Sequence, residues 1–269
     1  MQPSIQVPAD PKLQYLLRLG DTCLILGQRL GEWCGHAPIL EEDIALTNMA
    51  LDLIGQARLL YQYAAQLLGD GATEDGLAYF RDVPEFRNYT MLELPHSPPL
   101  AATARGDRDY ATTIVRNFLY SALMVLLWER LTASADTQLA AIAARSLKEV
   151  RYHLRHSRDW LVRFGDGTDE SHARAQAALD HLLPYTDEFW SDSAPEQAAL
   201  AQGVAVSVAS LQAGWNDLVD DALTEATLVR PTVAKGYVPQ GKHGVHSEHL
   251  GFVLAEMQSL ARAHPGASW

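Results

Sequence analysis

Apolar side chains recur along most of this chain at intervals of three and four residues, the spacing that places them on one face of an α-helix. Turn and breaker residues divide the pattern into long helical blocks, and little of the chain alternates as a strand would. The main helices are predicted at about residues 12–35, 38–68, 109–133 and 136–164. The pattern therefore predicts an all-α protein.

The connections between these blocks predict how the helices are arranged. A short link joins the first two blocks and another joins the last two, so each pair should form an antiparallel hairpin. The proline-rich segment between the pairs, residues 69–106, is long enough to cross a bundle. We therefore expect a ferritin-like four-helix bundle. Additional C-terminal helices are predicted at about residues 171–190, 207–228 and 247–263.

The predicted domain organisation is simple. Residues 1–11 contain three prolines and are expected to form a flexible N-terminal extension. Residues 12–269 are expected to form a single ferritin-like helical domain. The segment VRPTVAKGYVPQGKHGVH, before the last predicted helix, is rich in glycine and proline and should be a loop ordered by packing or by a partner.

Composition excludes several classes of protein. The 269 residues are 48% hydrophobic, which is enough for a large core, and the net charge of −12 argues against a nucleic-acid partner. The sequence has no run of about 18 apolar residues and no signal-peptide pattern at its start, so we expect a cytoplasmic protein without a membrane partner. Cys23 and Cys34 lie about 16 Å apart along one predicted helix, too far for a disulfide.

The stretch KEVRYHLRHSRDWL, residues 148–161, partly matches the metal-binding helix of two-iron bundles. That helix carries Glu-x-x-His, but here Tyr152 stands three residues after Glu149 and the histidine follows at His153. One residue is a rotation of about 100°. Helical phase places His153 on the apolar face and Glu149 at its edge, so we expect these two side chains to hydrogen-bond to each other. The alternative, that they bind iron, stays open.

The rest of the chain does not supply the ligands of a two-iron centre. Its one Glu-x-x-His, from Glu93 to His96, contains Pro95 and cannot lie inside a helix. Two polar stripes on the first two helices are expected to form a hydrogen-bonded polar core: Asp21, Gln28 and Glu32, and Asn48, Asp52 and Gln56. The run His243, His246 and His249 crosses a loop-to-helix junction and is expected to be solvated or hydrogen-bonded. We therefore predict no metal ligands and no catalytic residues on this chain.

Several long stretches resemble one known family, the C subunits of the phenylacetic acid degradation oxygenase, or phenylacetyl-CoA epoxidase. The most specific are LGEWCGHAP and LDLIGQAR, and RDVPEFRN, KEVRYHLRHSRDWL, GKHGVHSEHLGFVLAEMQ and the terminal PGASW add to the likeness. The resemblance implies a ferritin-like bundle without a working iron site. It also implies pairing with a catalytic A subunit, which carries the two-iron centre, and with the other subunits of the complex.

In that family the complex epoxidises the aromatic ring of phenylacetyl-CoA. It uses O₂ and electrons from a separate reductase, which works with NADPH, flavin and an iron–sulfur cluster. The resemblance therefore implies that this chain carries no cofactor of its own and contributes surface. Two surfaces are candidates for the contact with the A subunit: the apolar-rich second helix and a basic face of Lys148, Arg151, Arg155 and Arg158. The alternative for the basic face is plain solvation.

The stretch RDVPEFRNY is the candidate for contact with the coenzyme A substrate. It carries two arginines, Arg81 and Arg87, beside aromatic and amide side chains that suit an adenine and phosphates. The predicted substrate-binding residues are Phe86, Arg87, Asn88 and Tyr89. Lys242 in the GKHG loop is a weaker candidate. The alternative is that Phe86 and Tyr89 pin this segment to the bundle.

Two other functions stay open from the sequence. One is an unusual two-iron oxygenase in which Glu32, Asp52, Glu149 and His153 hold the metal. The other is a free-standing scaffold protein that binds acyl-CoA.

Overall fold

The computed structural model describes residues 7–97, 108–232 and 238–267. These residues contain ten α-helices and no strand. The helices are α1 (Pro11–Gly31), α2 (Leu40–Leu68), α3 (Glu74–Tyr79), α4 (Thr90–Glu93), α5 (Tyr110–Leu131), α6 (Thr137–Gly165), α7 (Asp169–Leu182), α8 (Ala194–Ala201), α9 (Gln212–Glu225) and α10 (Glu248–Ala263). The all-α prediction and its four long helices are confirmed.

Four long helices, α1, α2, α5 and α6, form the bundle. The most extensive packing is between α1 and α2 and between α5 and α6, the two predicted hairpins. Aspartates begin three of these helices: Asp10, Asp109 and Asp136 each accept hydrogen bonds from main-chain N–H groups of the first turn. Such caps satisfy donors that have no partner within the helix.

The N-terminal extension lies only partly within the described residues. Residues 1–6 lie outside them, so the predicted flexibility of residues 1–11 stays a prediction. At the end of this segment Pro8 accepts a hydrogen bond from the Gln14 side chain, at 2.9 Å, and Asp10 caps α1.

The predicted crossover contains short helices rather than plain loop. It includes α3, a 3₁₀ turn at Val83–Glu85 and α4. Residues 98–107 of this segment lie outside the described part of the chain. The helix α5 that follows is apolar and long enough to cross a membrane, but 89% of its most apolar window is buried inside the protein. It is the central helix of the core.

The C-terminal helices pack onto the bundle. Helix α7 lies against α5 and α6, α8 lies against α1, and α10 lies against α3 and α1. Gly165 at the end of α6 allows a close approach, because a Cβ atom at this position would lie 1.9 Å from the main-chain oxygen of Ala226. The buried apolar residues of these helices belong to the same cluster as those of the bundle.

A buried group of charges holds α8 and the last loop against the bundle. Glu196 in α8 forms ion pairs with Arg18 of α1, at 2.7 Å, and with Lys242, at 2.9 Å, and all three side chains are at most 3% exposed. Lys242 also donates to the main-chain oxygen of Ser191, and its main-chain N–H donates to Glu188. Buried charges require such partners.

Candidate functional site

Each of the four bundle helices contributes one polar side chain to a common centre. Cys23 comes from α1, Gln56 from α2, Tyr120 from α5 and Glu149 from α6. The Cys23 Sγ lies 3.7 Å from Gln56 Oε1 and 3.8 Å from the Tyr120 hydroxyl, and Gln56 Nε2 donates to Glu149 Oε2 at 2.9 Å. We call these four residues the polar centre. It occupies the interior of the bundle, where a carboxylate-bridged protein holds its metals.

The polar centre is poor in charge. Burial raises the pKa of the Cys23 thiol to about 12 and raises the pKa of Tyr120 well above its usual 10, so both groups stay protonated at neutral pH. The Gln56 amide is neutral at any pH. Its carbonyl accepts from the thiol while its NH₂ donates to Glu149, so a chain of hydrogen bonds crosses the bundle.

The predicted pairing of Glu149 with His153 is wrong. His153 Nε2 instead lies 3.0 Å from Asp52 Oδ2 of α2. Glu149 accepts from Gln56 and lies 3.6 Å from Arg145. Both side chains have partners on α2, because Asp52 and Gln56 are four residues apart on that helix, as Glu149 and His153 are on α6.

A third pair between α2 and α6 was missed from the sequence. His156 Nε2 lies 2.8 Å from Glu42 Oε2, and the same carboxylate oxygen accepts from the Tyr110 hydroxyl at 2.5 Å. The spacing of Glu42, Asp52 and Gln56 along α2 could have indicated that α6 lies beside them. Cys23 and Tyr120 were also missed as members of the polar centre, since each side chain has only one polar atom and neither belongs to a recognisable ligand motif.

These residues do not fit a pair of iron ions. Such a centre requires about four carboxylates and two histidines converging from the four helices. The polar centre offers one carboxylate, and a carboxamide and two protonated groups offset little of the charge of Fe²⁺. Within the described residues no group of three or more histidine, cysteine, aspartate or glutamate side chains is placed to hold a metal ion.

The four residues of the oxygenase alternative divide between separate places. Asp52 and His153 form one pair and Glu149 belongs to the polar centre. Glu32 lies elsewhere, at 2.7 Å from Arg29 and 3.9 Å from His96.

The two predicted polar stripes are only partly buried. Asp21 is fully buried and binds Arg81, Tyr61 and the main-chain N–H of Arg87. On α2, Gln56 is buried, but Asn48 is exposed and the Asp52 side chain is 36% exposed. The expectation of a polar core along α2 is therefore wrong for Asn48 and Asp52, because one face of this helix is open.

The predicted substrate-binding residues are largely enclosed by the protein. Phe86, Asn88 and Tyr89 have no exposed surface. Phe86 lies under the guanidinium of Arg81, 4.4 Å from ring centre to Cζ. The Tyr89 hydroxyl accepts from Arg18 at 2.9 Å, and Asn88 Nδ2 donates to Glu93 at 3.1 Å. A ring enclosed on both faces cannot stack on an adenine in this conformation.

Arg87 and the other basic candidates also have internal partners. The Arg87 guanidinium donates to the main-chain oxygens of Pro84 and Phe86, at 2.6 and 2.7 Å, and Arg81 is fully buried against Asp21. Lys242 is buried against Glu196. These contacts fit the alternative in which the segment is pinned to the bundle, and contact with substrate stays a prediction.

The histidines near this segment diverge. His246 lies 2.9 Å from Glu93 and His243 is exposed. His249 lines a cavity beside Arg29 and Glu32. His96 is buried between Trp33, Thr113 and the main-chain oxygen of Arg29. Burial and the nearby Arg116 lower the pKa of His96 well below its usual 6.5, so this imidazole is neutral and serves as a hydrogen-bonding group.

The chain is similar to known proteins over nearly its whole length. The family described as phenylacetic acid catabolic protein matches residues 2–269. A protein of Escherichia coli (strain K12), named as the C subunit of 1,2-phenylacetyl-CoA epoxidase, is 47% identical over 255 residues, which cover 95% of this chain and 98% of that protein. The similarity therefore includes the bundle and the C-terminal helices that pack on it.

Proposed function

The chain belongs to the phenylacetic acid catabolic protein family, and from this premise we propose that it is a non-catalytic structural subunit of a 1,2-phenylacetyl-CoA epoxidase. In this role it pairs with the catalytic A subunit, which holds the two-iron centre, and stabilises that subunit. The complex acts in the cytoplasm and epoxidises the ring of phenylacetyl-CoA with O₂ and electrons from its reductase.

The observation that carries this proposal is the composition of the polar centre. Cys23, Gln56 and Tyr120 stand where three helices of a two-iron bundle would supply ligands, and only Glu149 is a carboxylate. Each of the four groups contacts at least one of the others, so the interior is filled by hydrogen bonds. A bundle built in this way supports a structural role beside a catalytic subunit of the same complex.

An activity measurement on the assembled complex tests the proposal. The catalytic subunit is expressed with its reductase, with and without this chain, and the epoxide of phenylacetyl-CoA is measured by mass spectrometry. We expect turnover to require both chains. The variant Glu149→Gln retains an acceptor for Gln56 and should leave the turnover of the complex within about twofold of the wild type. A tenfold loss would correspond to an increase of about 1.4 kcal/mol in the activation free energy, which a purely structural side chain should not cause.

The opposite result would favour the oxygenase alternative. If Glu149→Gln assembles normally but turnover falls at least a hundredfold, the polar centre takes part in the chemistry and the structural role is wrong. The scaffold alternative is tested by calorimetry of the isolated chain with phenylacetyl-CoA. Saturable heat with a micromolar Kd would favour it, and no heat would reject it.

A further inference from the structure

A cavity of about 480 Å³ lies where α1 ends, beside the residues that precede α5 and beside α10. Two arginines line it, Arg29 from α1 and Arg108 from the residues before α5, and α10 contributes His249 and Phe252. We call it the Arg108 cavity. It shares no described residue with the polar centre, so it is a separate feature of the chain.

Arg108 has a buried donor without an acceptor. Its Nη1 atom is buried and has no hydrogen-bond partner. The guanidinium lies 6.0 Å from the centre of the Trp33 ring, and within the described residues it forms no ion pair. Because a buried donor without an acceptor is destabilising, this atom marks a place for an acceptor that the chain itself does not supply.

A second arginine lies behind the cavity wall without a counter-ion. Arg116 has no exposed surface and donates to Nδ1 of His96, a wall residue, at 2.8 Å, while its Nε has no partner. In the part of the chain that the structure describes, no carboxylate lies within ion-pair distance of this guanidinium. Burial and the neighbouring Arg29 lower the pKa of Arg116 from 12.5 to about 9, so it is still a cation at pH 7. Buried cations normally have an anion beside them.

The carboxylates near the cavity do not neutralise these two cations. Glu32 lies 2.7 Å from Arg29 and is the counter-ion of that residue. Glu256 also lines the cavity, but it has an interaction of its own. Arg108 and Arg116 are therefore left as positive charges beside and behind the same wall.

The two wall histidines report the same positive field. Burial and Arg116, with a smaller contribution from Arg108, lower the pKa of His96 well below its usual 6.5. Burial and Arg29 lower the pKa of His249. In each case positive neighbours add to the effect of burial, which indicates that the cavity favours an anion.

The rest of the wall suits an organic body. Pro95, Phe252 and Val253 line it, and Phe252 is 65% exposed. An apolar wall with a few polar groups, enclosing about 300–1,000 Å³, is typical of a site for a small molecule. A doubly charged phosphate would be repelled by Glu32 and Glu256 more strongly than a singly charged carboxylate.

We propose that the Arg108 cavity binds a small organic carboxylate. The carboxylate accepts a hydrogen bond from Arg108 Nη1, with Arg116 behind the wall as a second positive charge, and the apolar body of the ligand lies against Phe252. This inference does not depend on the proposed function, because the site belongs to the isolated chain and requires no other subunit.

Calorimetry of the full-length chain at pH 7 and constant ionic strength tests the inference. The probe is benzoate, and its control is benzamide, which has nearly the same shape and no charge. Benzoate should bind saturably and about tenfold or more tightly than benzamide, the discrimination expected of a charge-assisted hydrogen bond. No saturable heat with millimolar benzoate, or equal binding of benzamide, would overturn the inference. Inorganic phosphate that binds while benzoate does not would overturn the ligand class.

Two variants with matched controls assign the binding to this cavity. Arg108→Gln removes the cation, and its control is Arg155→Gln, since Arg155 also lies over an aromatic ring, at 5.6 Å, and forms no ion pair with any described residue. Phe252→Ala removes apolar wall, and its control is Leu260→Ala, a 56% exposed position on the same helix. Both cavity variants should weaken benzoate binding, by about tenfold for Arg108→Gln. Both controls should stay within twofold of the wild type.

Thermal melting of the variants separates binding from folding. Phe252 is largely exposed, so Phe252→Ala should melt close to the wild type while it binds benzoate more weakly. If Arg108→Gln folds and binds benzoate as the wild type does, the ligand lies elsewhere and the inference is wrong. If Arg108→Gln does not fold, Phe252→Ala decides, and an unchanged Kd in that variant would overturn the inference.

Discussion

Replacing Glu196 with glutamine should destabilise the chain strongly, because this carboxylate is the shared partner of two buried cations. Arg18 lies 2.7 Å from one of its oxygens and Lys242 lies 2.9 Å from the other. In Glu196→Gln both cations stay buried without an anion between them. Removing one partner of a buried ion pair costs about 3–5 kcal/mol.

The pKa of Glu196 gives a second measure of the same energy. Burial opposes ionisation of this carboxyl, but Arg18 and Lys242 outweigh burial and lower its pKa from 4.5 to about 2. A difference of this size corresponds to about 3 kcal/mol of stability. Because the pKa is lower in the folded state, this stability is present above about pH 4.5 and is lost as the pH falls towards 2.

Urea unfolding of the purified chain, followed by circular dichroism, measures the effect. At pH 7 the free energy of unfolding of Glu196→Gln should be about 3 kcal/mol lower than that of the wild type. Between pH 5 and pH 3 the wild type should lose stability more steeply than the variant. Lys242→Met added to Glu196→Gln should restore part of the loss, since it removes one of the two uncompensated charges.

A free energy of unfolding of Glu196→Gln within about 0.5 kcal/mol of the wild-type value, the range of an ordinary surface substitution, would contradict this prediction. A double variant that is less stable than the wild type by the full sum of the two single effects would also contradict the prediction, because independent sites are additive.

Three further predictions concern other buried groups. Arg81→Met leaves Asp21 as a buried anion without its cation and should lower the free energy of unfolding by about 3–5 kcal/mol in urea. Gly165→Ala places a methyl group 1.9 Å from the main-chain oxygen of Ala226 and should lower the free energy of unfolding by about 1–3 kcal/mol in the same assay. Burial raises the pKa of Cys23 to about 12, whereas Cys34 is exposed, so iodoacetamide should modify one thiol of the native chain and both after unfolding, as counted by mass spectrometry.

The long helices could be predicted from the sequence because their apolar period persists over many turns. The predicted block at residues 38–68 became α2 (Leu40–Leu68), and the block at residues 136–164 became α6 (Thr137–Gly165). The short helices α3, α4 and α8 were not predicted, since four to eight residues are too few to show a period. Such helices depend on tertiary contacts for their stability.

The partners of polar residues were harder to predict than their burial. His153 was correctly expected on the inner face of α6, but its partner is Asp52 on another helix. Helical phase gives the direction of a side chain and says nothing about which helix lies opposite. The sequence allowed that Phe86 and Tyr89 pin their segment to the bundle, but it did not indicate that Arg18 and Asp21 hold this segment, because these residues lie more than 60 positions away.

The exposed face of α2 shows a similar limit. Its residues are apolar on nearly every side, which indicates a buried helix when only one chain is considered. The structure leaves Leu40 and Leu51 exposed. A sequence selected within an assembly carries the pattern of the assembled state, so a helix that is apolar all round can still have an open face in the isolated chain.

The central claim is that this chain supports a two-iron subunit without holding iron. Metal analysis of the chain purified alone from iron-rich medium, and of its complex with the catalytic subunit, tests that claim most directly. We expect iron well below one atom per lone chain, and about two atoms for each catalytic subunit in the complex, as a two-iron centre requires. About two iron atoms bound to each lone chain would contradict the account.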